Sequence, residues 1–177
     1  MTSPSVKTRI FAAVAVTILV ADRITKHLAE MSLTPHLPRR VAGDVVRLTL
    51  TWNQSSAMGL FSFGAWSRWI FAAIAVAMLG VLVALLREAP AAARWRAAAL
   101  GAVAGGAVGN LVDRILSGRG VTDFIDVGTA GWRFWTFNVA DAGVTCGALL
   151  LAILLTVEER EQKRAATPPH RPAERRI

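Results

Sequence analysis

The sequence predicts a mainly α-helical integral membrane protein with four transmembrane helices and a small sheet outside the membrane. Apolar residues make up 54% of the 177 residues and mean hydropathy is +0.45, which is too high for a soluble domain of this size. Residues 66–86, 95–116 and 138–157 each supply the run of about 20 mostly apolar residues that a spanning helix needs. These segments predict three of the four spans.

The first span is less regular than the others. Residues 10–21 are apolar but too few, so a full span must continue to residue 29 and carry the stretch "DRITK" at its outer end. The basic start and short apolar run also fit a cleaved signal peptide, but no small-x-small cleavage site follows them. We therefore favour a permanent first helix.

The distribution of Lys and Arg predicts the orientation. These residues are dense around Lys7 and Arg9, in the connection 87–96 and in the tail, and sparser in 22–67 and 113–137. Positive residues concentrate on the cytoplasmic side, so both termini are expected there. The net charge of +8 lies mainly beside the membrane spans, which favours anionic lipid headgroups over nucleic acid as partners.

Residues 1–157 are expected to form one membrane-embedded domain. Residues 158–177 are polar and contain Pro, so they predict a disordered cytoplasmic tail. The single cysteine, Cys146, excludes an internal disulfide.

Three segments predict strands outside the membrane. In "DVVRLTLTWN" (44–53) apolar and polar residues alternate with the period of two that is typical of a half-buried strand. The stretches "GVTDFIDV" (120–127) and "GWRFWTFNV" (131–139) lie between the third and fourth helices. Together they predict a small sheet that covers the outer face.

The acidic residues near the membrane all fall at this outer level. Asn138 and Asp141 begin the fourth helix with an Asn-x-x-Asp spacing, which Asn110 and Asp113 repeat near the end of the third. The other polar residues of this level are Asp22 and Lys26 on the first helix, Arg114 beside Asp113, and Asp123 and Asp126 in the connection before the fourth helix.

Structural roles compete with chemistry for several of these residues. Asp141 near a helix N-terminus fits a cap, although capping alone leaves the Asn three residues earlier unexplained. Asp113 with Arg114, and Asp22 with Lys26, are more often structural ion pairs than catalysts. Small residues at 101, 105 and 109 favour close helix packing.

Carboxylates are the catalytic groups that the sequence supplies. His27, His36 and His170 lie outside the spans, and no cluster of His and Cys predicts a zinc site, so neither a metal nor a cofactor is expected. Two adjacent aspartates share a proton, which lets one act as general base on water and the other as general acid. The residues themselves leave the partner of Asp141 open among Asp113, Asp123 and Asp126.

Five stretches in this order resemble the lipoprotein signal peptidase family, also called signal peptidase II. They are "DRITK" (22–26), "WNQSSAMG" (52–59), "GGAVGNLVDR" (105–114), "VTDFIDV" (121–127) and "FNVADAGVTCG" (137–147). The resemblance implies four transmembrane helices, a small outer β-cradle and a location in the bacterial inner membrane. It also implies an aspartic endopeptidase that cleaves diacylglyceryl-modified prolipoproteins before the lipidated cysteine.

The resemblance places the catalytic dyad on Asp123 and Asp141. It carries substrate-binding or supporting roles onto Asp22, Lys26, Asn53, Asn110, Asp113, Arg114 and Asn138. The family pattern Asn-x-Gly-x-Ala-aromatic is altered here, because Ser55 replaces the Gly and Met58 the aromatic residue. This departure concerns the loop after Asn53 and not the dyad.

The implied partners are a lipid-modified prolipoprotein and membrane phospholipids, and the protein is expected to be a monomer. The alternative function is a small carboxylate-dependent transporter or proton-coupled channel. Such proteins place charged sites near the bilayer midplane and carry interrupted helices or internal repeats, and the sequence has neither feature.

Overall fold

The computed structural model describes residues 4–54 and 66–166, and four helices dominate this part of the chain. They are α1 (Val6–Ser32), α2 (Ser67–Glu88), α3 (Arg94–Leu116) and α4 (Val139–Ala166). Three strands, β1 (Arg39–Ala42), β2 (Val46–Asn53) and β3 (Val121–Val127), form an antiparallel sheet in the order β1-β2-β3. The mainly helical class and the small sheet are confirmed.

Three of the described helices are long and apolar enough to cross a membrane: α2, α3 and residues 139–165 of α4. Helix α1 is not among them, because Asp22, Arg23 and Lys26 interrupt its apolar sequence. A fourth span therefore stays a prediction.

The sheet differs from the prediction in two of its members. Residues 131–139 form no strand and contribute only isolated bridges, Ile125 with Phe137 and Gly128 with Arg133. The side chain of Arg133 is turned to Asp126 and to the backbone oxygen of Asp44, which fixes this segment as a loop. Strand β1 was not predicted, since it has four exposed residues and no apolar alternation.

The end of the chain also departs from expectation. Helix α4 continues past Val157 to Ala166, so the first part of the predicted tail is helical. The remaining residues, 167–177, and the predicted surface segment with Ser55 and Met58 lie outside the described residues.

Helix α3 lies at the centre of the bundle and packs against the other three helices. Its small residues permit the close approach: a methyl group on Gly101 would lie 2.6 Å from the backbone oxygen of Phe11, and one on Gly109 would lie 2.6 Å from Asp22 Oδ2. The predicted packing role of this stripe is confirmed.

Two apolar clusters stabilise the fold. The larger lies away from the sheet, among Leu82, Leu86, Ala97, Leu100, Val103 and Ala104. The smaller joins the end of α1 to the sheet through Ala29, Leu33, Leu50 and Phe124. Between them, at the sheet side of the bundle, the interior is polar.

Candidate active site

The first turn of α4 is held by a reciprocal cap. Asn138 immediately precedes the helix, and its side-chain oxygen accepts a hydrogen bond of 2.9 Å from the backbone N–H of Asp141. The carboxylate of Asp141 accepts in return from the backbone N–H of Asn138 at 3.2 Å. This is the geometry of a capping box, so the Asn-x-x-Asp spacing is itself a capping pattern. Our expectation that capping leaves Asn138 unexplained was wrong.

Asn138 does more than cap the helix, because its side-chain N–H₂ group donates to Asp123. The distance from Nδ2 to Asp123 Oδ1 is 2.6 Å, and both side chains are buried. Asp123 lies in β3 opposite Thr51 of β2, and Asn53 at the end of β2 also donates a hydrogen bond to its carboxylate. Asn138 thus donates to both carboxylates, with its side chain to Asp123 of the strand and with its backbone N–H to Asp141 of the helix.

Asn110 of α3 joins the same network from the other side. Its Nδ2 donates to Asp141 Oδ1 at 2.8 Å, and its Oδ1 accepts from Asn138 at 3.2 Å and from Lys26 Nζ at 3.0 Å. Both amides therefore have a fixed orientation, with the N–H₂ groups turned to the carboxylates. Polar groups in this interior are satisfied by one another, as burial requires.

A buried ion cluster supports the amides from below. Lys26 Nζ lies 2.8 Å from Asp22 Oδ2 and 2.8 Å from Asp113 Oδ2, and the lysine side chain is only 2% exposed. Asp22 also accepts from the backbone N–H of Ala140 at 2.9 Å, which ties α1 to the first turn of α4. Such a lysine is stable in the interior only because two carboxylates and Asn110 surround it.

The partners of Asp113 differ from those we expected. Its carboxylate is paired with Arg23 and Lys26, and it accepts from the backbone N–H of Thr122 at 3.3 Å. The guanidinium of Arg114 lies over the ring of Phe71, 4.9 Å from its centre, and interacts electrostatically with Asp123, Asp141 and Asp113. The structural role predicted for Asp113 fits this geometry, but its direct ion pairs are with Arg23 and Lys26.

Asp126 is held away from this network. Arg133 Nε lies 2.6 Å from its Oδ1, and the hydroxyl of Thr49 donates to its Oδ2 at 2.9 Å. The carboxylate is thus neutralised by an arginine and anchors the loop that leads to α4. The sequence left three aspartates as possible partners of Asp141. Among them, Asp123 is the one that shares a hydrogen-bond donor residue, Asn138, with Asp141.

The environment of Asp123 favours its protonated form. The pKa of Asp123 is raised to about 7, first by burial and then by the negative charge of Asp141. Hydrogen bonds from Asn138 and Asn53 lower the pKa but do not offset these two effects. At neutral pH Asp123 is therefore protonated in about half of the molecules and in more of them at lower pH, so it can supply the proton that acid–base catalysis on water requires.

Sequence reasoning missed two residues that position this site. Arg23 pairs with Asp113, and its place directly after Asp22 in "DRITK" was a usable signal. Thr122 uses three groups: its N–H donates to Asp113, its oxygen accepts from Asn138 at 3.3 Å, and its hydroxyl donates to Glu30 at 2.8 Å. No sequence pattern reveals this role, because it depends on where β3 meets three helices.

Comparisons with known proteins find relatives that cover most of the chain. The sequence profile of the family described as signal peptidase (SPase) II matches residues 14–157. The chain is 40% identical over 153 residues to a lipoprotein signal peptidase of Hydrogenovibrio crunogenus, covering 85% of this chain and 88% of that protein. It is likewise 40% identical over 154 residues to one of Ectopseudomonas mendocina, covering 86% and 90%.

Two solved structures of bacterial membrane enzymes have the same fold. One, at 2.3 Å resolution, superposes with a TM-score of 0.74 and 26% identity, covering 93% of this chain and 94% of that one. The other, at 1.9 Å resolution, gives a TM-score of 0.72 and 29% identity, covering 82% and 91%.

Proposed function

Because the chain belongs to the signal peptidase II family, we propose that it is an aspartic endopeptidase whose dyad is Asp123 and Asp141. Its substrates are prolipoproteins that carry a diacylglyceryl group on cysteine, and it cleaves on the N-terminal side of that cysteine. The observation that carries this proposal is the side chain of Asn138, which donates to Asp123 and caps Asp141.

The environments of the two carboxylates support different roles. Asp123, with its pKa raised to about 7, holds the proton and gives it to the scissile carbonyl oxygen as general acid. Asp141, which accepts from Asn110 and from the backbone of Asn138, removes a proton from the attacking water as general base. The tetrahedral intermediate then collapses: the C–N bond breaks, the proton taken by Asp141 passes to the departing amine, and one hydroxyl of the intermediate returns its proton to Asp123, which restores both carboxyl groups.

The remaining polar residues support the dyad. Asn53, Asn110 and Asn138 fix the orientation of its carboxylates, and Arg114 supplies positive charge that stabilises the developing negative charge. Asp22, Lys26 and Asp113 hold α1, α3 and α4 together beneath it. We also propose that some of these residues bind the substrate.

The surface of α1 supports a fourth span. Its exposed residues include an apolar stripe at intervals of three and four, Val16, Val20, Ile24, Leu28 and Met31. The opposite face buries Asp22, Lys26 and Ala29. A helix with apolar residues outside and charges inside is suited to lipid and not to water, so α1 crosses the membrane with its ion pairs turned inward.

With four spans both termini lie on the same side of the membrane, and we assign them to the cytoplasm of a bacterial cell and the sheet to the outer side of the inner membrane. Lys7, Arg9, Arg87, Arg94, Arg96, Arg160, Lys163 and Arg164 then lie on the cytoplasmic side, as the positive-inside rule requires. The dyad lies where an exported lipoprotein, with its acyl chains in the outer leaflet, can reach it. Residues 1–157 act as one domain, as a monomer, and the tail stays in the cytoplasm.

The decisive experiment is cleavage of a synthetic prolipoprotein by the purified protein in detergent, read by mass spectrometry. The expected product begins with the lipidated cysteine. A matched substrate with an unmodified cysteine should remain intact. Cleavage of both substrates, or at another bond, contradicts the specificity, and cleavage of neither contradicts the enzyme assignment.

Topology is tested separately by fusions to a reporter enzyme that is active only in the periplasm. A fusion after Arg40 should be active and one after Arg164 silent. The reverse pattern would place the carboxylates at the cytoplasmic face and contradict the proposal.

A further inference from the structure

A second polar site lies beside the dyad, in a cleft of about 310 Å³ between the sheet-side ends of α1 and α3 and the start of β3. Its charged walls are Arg23, Glu30 and Arg119, together with the already paired Asp113. Asp123 and Asp141 do not line it. The cleft is therefore a separate feature that the cleavage reaction does not use.

The cleft offers charges of both signs. The side chains of Arg23 and Arg119 are 43% and 59% exposed, so each is accessible to a ligand although Arg23 is paired with Asp113. Glu30 is 36% exposed and lies 3.7 Å from Arg119, and Thr122 donates to one of its oxygens at 2.8 Å. Two guanidinium groups suit a phosphate, and a carboxylate next to them suits an ammonium group.

The position of Arg119 is fixed before any ligand arrives. Its guanidinium lies 4.3 Å from the centre of the Trp52 ring, and this contact holds the side chain over the end of β2. A preorganised arginine loses little conformational entropy on binding.

One exposed apolar side chain, Leu116, lies at the edge of the cleft and is 77% exposed. On α1 the exposed residues Ile24 and Leu28 of the apolar stripe lie within two positions of the cleft residues Arg23 and Glu30, so the stripe meets the cleft along this helix. Acyl chains along this stripe would place a headgroup at Arg23. This continuity favours a lipid over a free phosphate compound.

We propose that the cleft binds a membrane phospholipid whose headgroup carries a phosphate and a primary ammonium, as phosphatidylethanolamine does. Arg23 and Arg119 bind the phosphate, Glu30 binds the ammonium, and the acyl chains lie along the α1 stripe. The inference rests on the proposed membrane position of α1 and is independent of peptide cleavage.

The test is lipid retention by the full-length protein, measured by native mass spectrometry after release from micelles that contain equal amounts of two lipids. Phosphatidylethanolamine should be retained about two- to fivefold over phosphatidylcholine, because a quaternary ammonium has no N–H to donate to Glu30. It should also exceed phosphatidylglycerol, which lacks the ammonium. No substrate is present, so a failure of the peptidase assay would leave this result unchanged.

Three variants assign the contacts. Glu30→Gln should remove the preference for phosphatidylethanolamine while phosphatidylcholine retention persists, and Arg119→Gln should lower retention of both lipids about two- to fivefold. Arg40→Gln is the matched control, since Arg40 is an exposed arginine on the hairpin between β1 and β2, paired with Asp44 at 2.9 Å. It should retain lipids like the parent protein.

Several outcomes would overturn the proposal. Equal retention of the three lipids, or an unchanged preference for phosphatidylethanolamine in Glu30→Gln, would contradict the binding of the ammonium group by Glu30. A loss in Arg40→Gln as large as in Arg119→Gln would show only a general effect of charge. Displacement of the lipid by water-soluble phosphoethanolamine would show that the acyl chains contribute nothing.

Discussion

The two halves of the helical bundle are built from the same helices but by opposite means. Away from the sheet, α1, α2 and α3 meet through small and aliphatic residues, such as Leu100 and Ala97, which are completely buried. On the sheet side the same α1 and α3 bury charges, with Asp22 and Lys26 at 0% and 2% exposure. The apolar half contains no acid–base chemistry, and the polar half contains the whole candidate site.

This difference teaches how a small membrane protein can keep ionised groups in its interior. Packing in the apolar half positions the helices, so that the charges of the polar half find partners without further cost in conformational entropy. The polar half then contributes little net stability but a defined geometry, as is common for buried ion pairs. Substitutions in the two halves should therefore have different consequences.

The largest effect is expected from the dyad. Asp123→Asn and Asp141→Asn should each lower kcat by about 10³-fold or more, because an amide cannot exchange the proton that acid–base catalysis requires. Thermal stability in detergent should change little, since an amide keeps the size of the side chain.

Asp44→Asn is the control for the dyad variants, because Asp44 lies in the exposed turn between β1 and β2 and pairs with Arg40 and Arg47. It should cleave substrate at the parent rate. Near-normal turnover by either dyad variant would remove that residue from the catalytic pair.

The second effect concerns the ion cluster beneath the dyad. Asp113→Asn leaves Arg23 and Lys26 with one carboxylate fewer in the interior, which should cost about 3 kcal/mol of folding free energy. Denaturant titration in micelles measures this loss, and activity should fall in parallel with the folded fraction. If activity disappeared while stability stayed intact, Asp113 would have to be a catalyst.

The third effect addresses the apolar half. Gly101→Ala would place a methyl group 2.6 Å from the backbone oxygen of Phe11, which cannot move aside, so a loss of about 1–3 kcal/mol is expected. Gly80→Ala on α2 is the matched control, since a methyl group there meets nothing within 4 Å. It should leave stability unchanged or raise it by about 0.5–1 kcal/mol. Equal losses in both variants would contradict the close contact of α1 and α3.

The smallest effect is a pH dependence. Since the pKa of Asp123 is raised to about 7, the catalytic proton is lost above that pH, and kcat/KM should fall about tenfold per pH unit there. Asp141→Glu keeps the carboxylate, so its residual activity should show the same fall in kcat/KM at alkaline pH. A profile flat to pH 9 would show that Asp123 does not donate the proton.

The same pKa shift has a consequence for stability with a definite sign. Between about pH 4 and 7, Asp123 is protonated in the folded state but ionised in the unfolded chain. The contribution of Asp123 to the free energy of unfolding therefore falls as the pH rises through this window. Above about pH 7 the contribution is constant. Asp123→Asn should remove the dependence, which denaturant titrations at pH 5 and 8 would detect.

The sequence predicted the parts of the fold that depend on local pattern. The apolar segments of α2, α3 and α4 and the alternation in β2 were found because burial repeats along one element. Strand β1 and the loop at 131–137 were misjudged, since pairing with β2 and the Arg133–Asp126 contact are not local. For the same reason the direct ion pair between Asp113 and Arg23 was missed: Arg114, which is next to Asp113 in sequence, interacts with it only electrostatically, while Arg23 reaches it from another helix.

The sequence predicted which residues belong to the candidate site but not which of them contact each other. The residues alone left Asp113, Asp123 and Asp126 equivalent, and the family resemblance was needed to favour Asp123. The structure supplies a physical reason for the distinction, because Asp113 and Asp126 are paired with basic residues, while Asp123 and Asp141 both accept hydrogen bonds from Asn138.

The hydrogen bond from the backbone of Ala140 to Asp22 joins residues that are 118 positions apart, in the first and last helices of the chain. During synthesis, α1, α2 and α3 leave the ribosome before α4, so Asp22 and Lys26 emerge while part of their final surroundings does not yet exist. The candidate site is completed only when the last helix is added. If Asp141 is catalytic as proposed, a growing chain cannot cleave passing substrates until its synthesis is nearly finished.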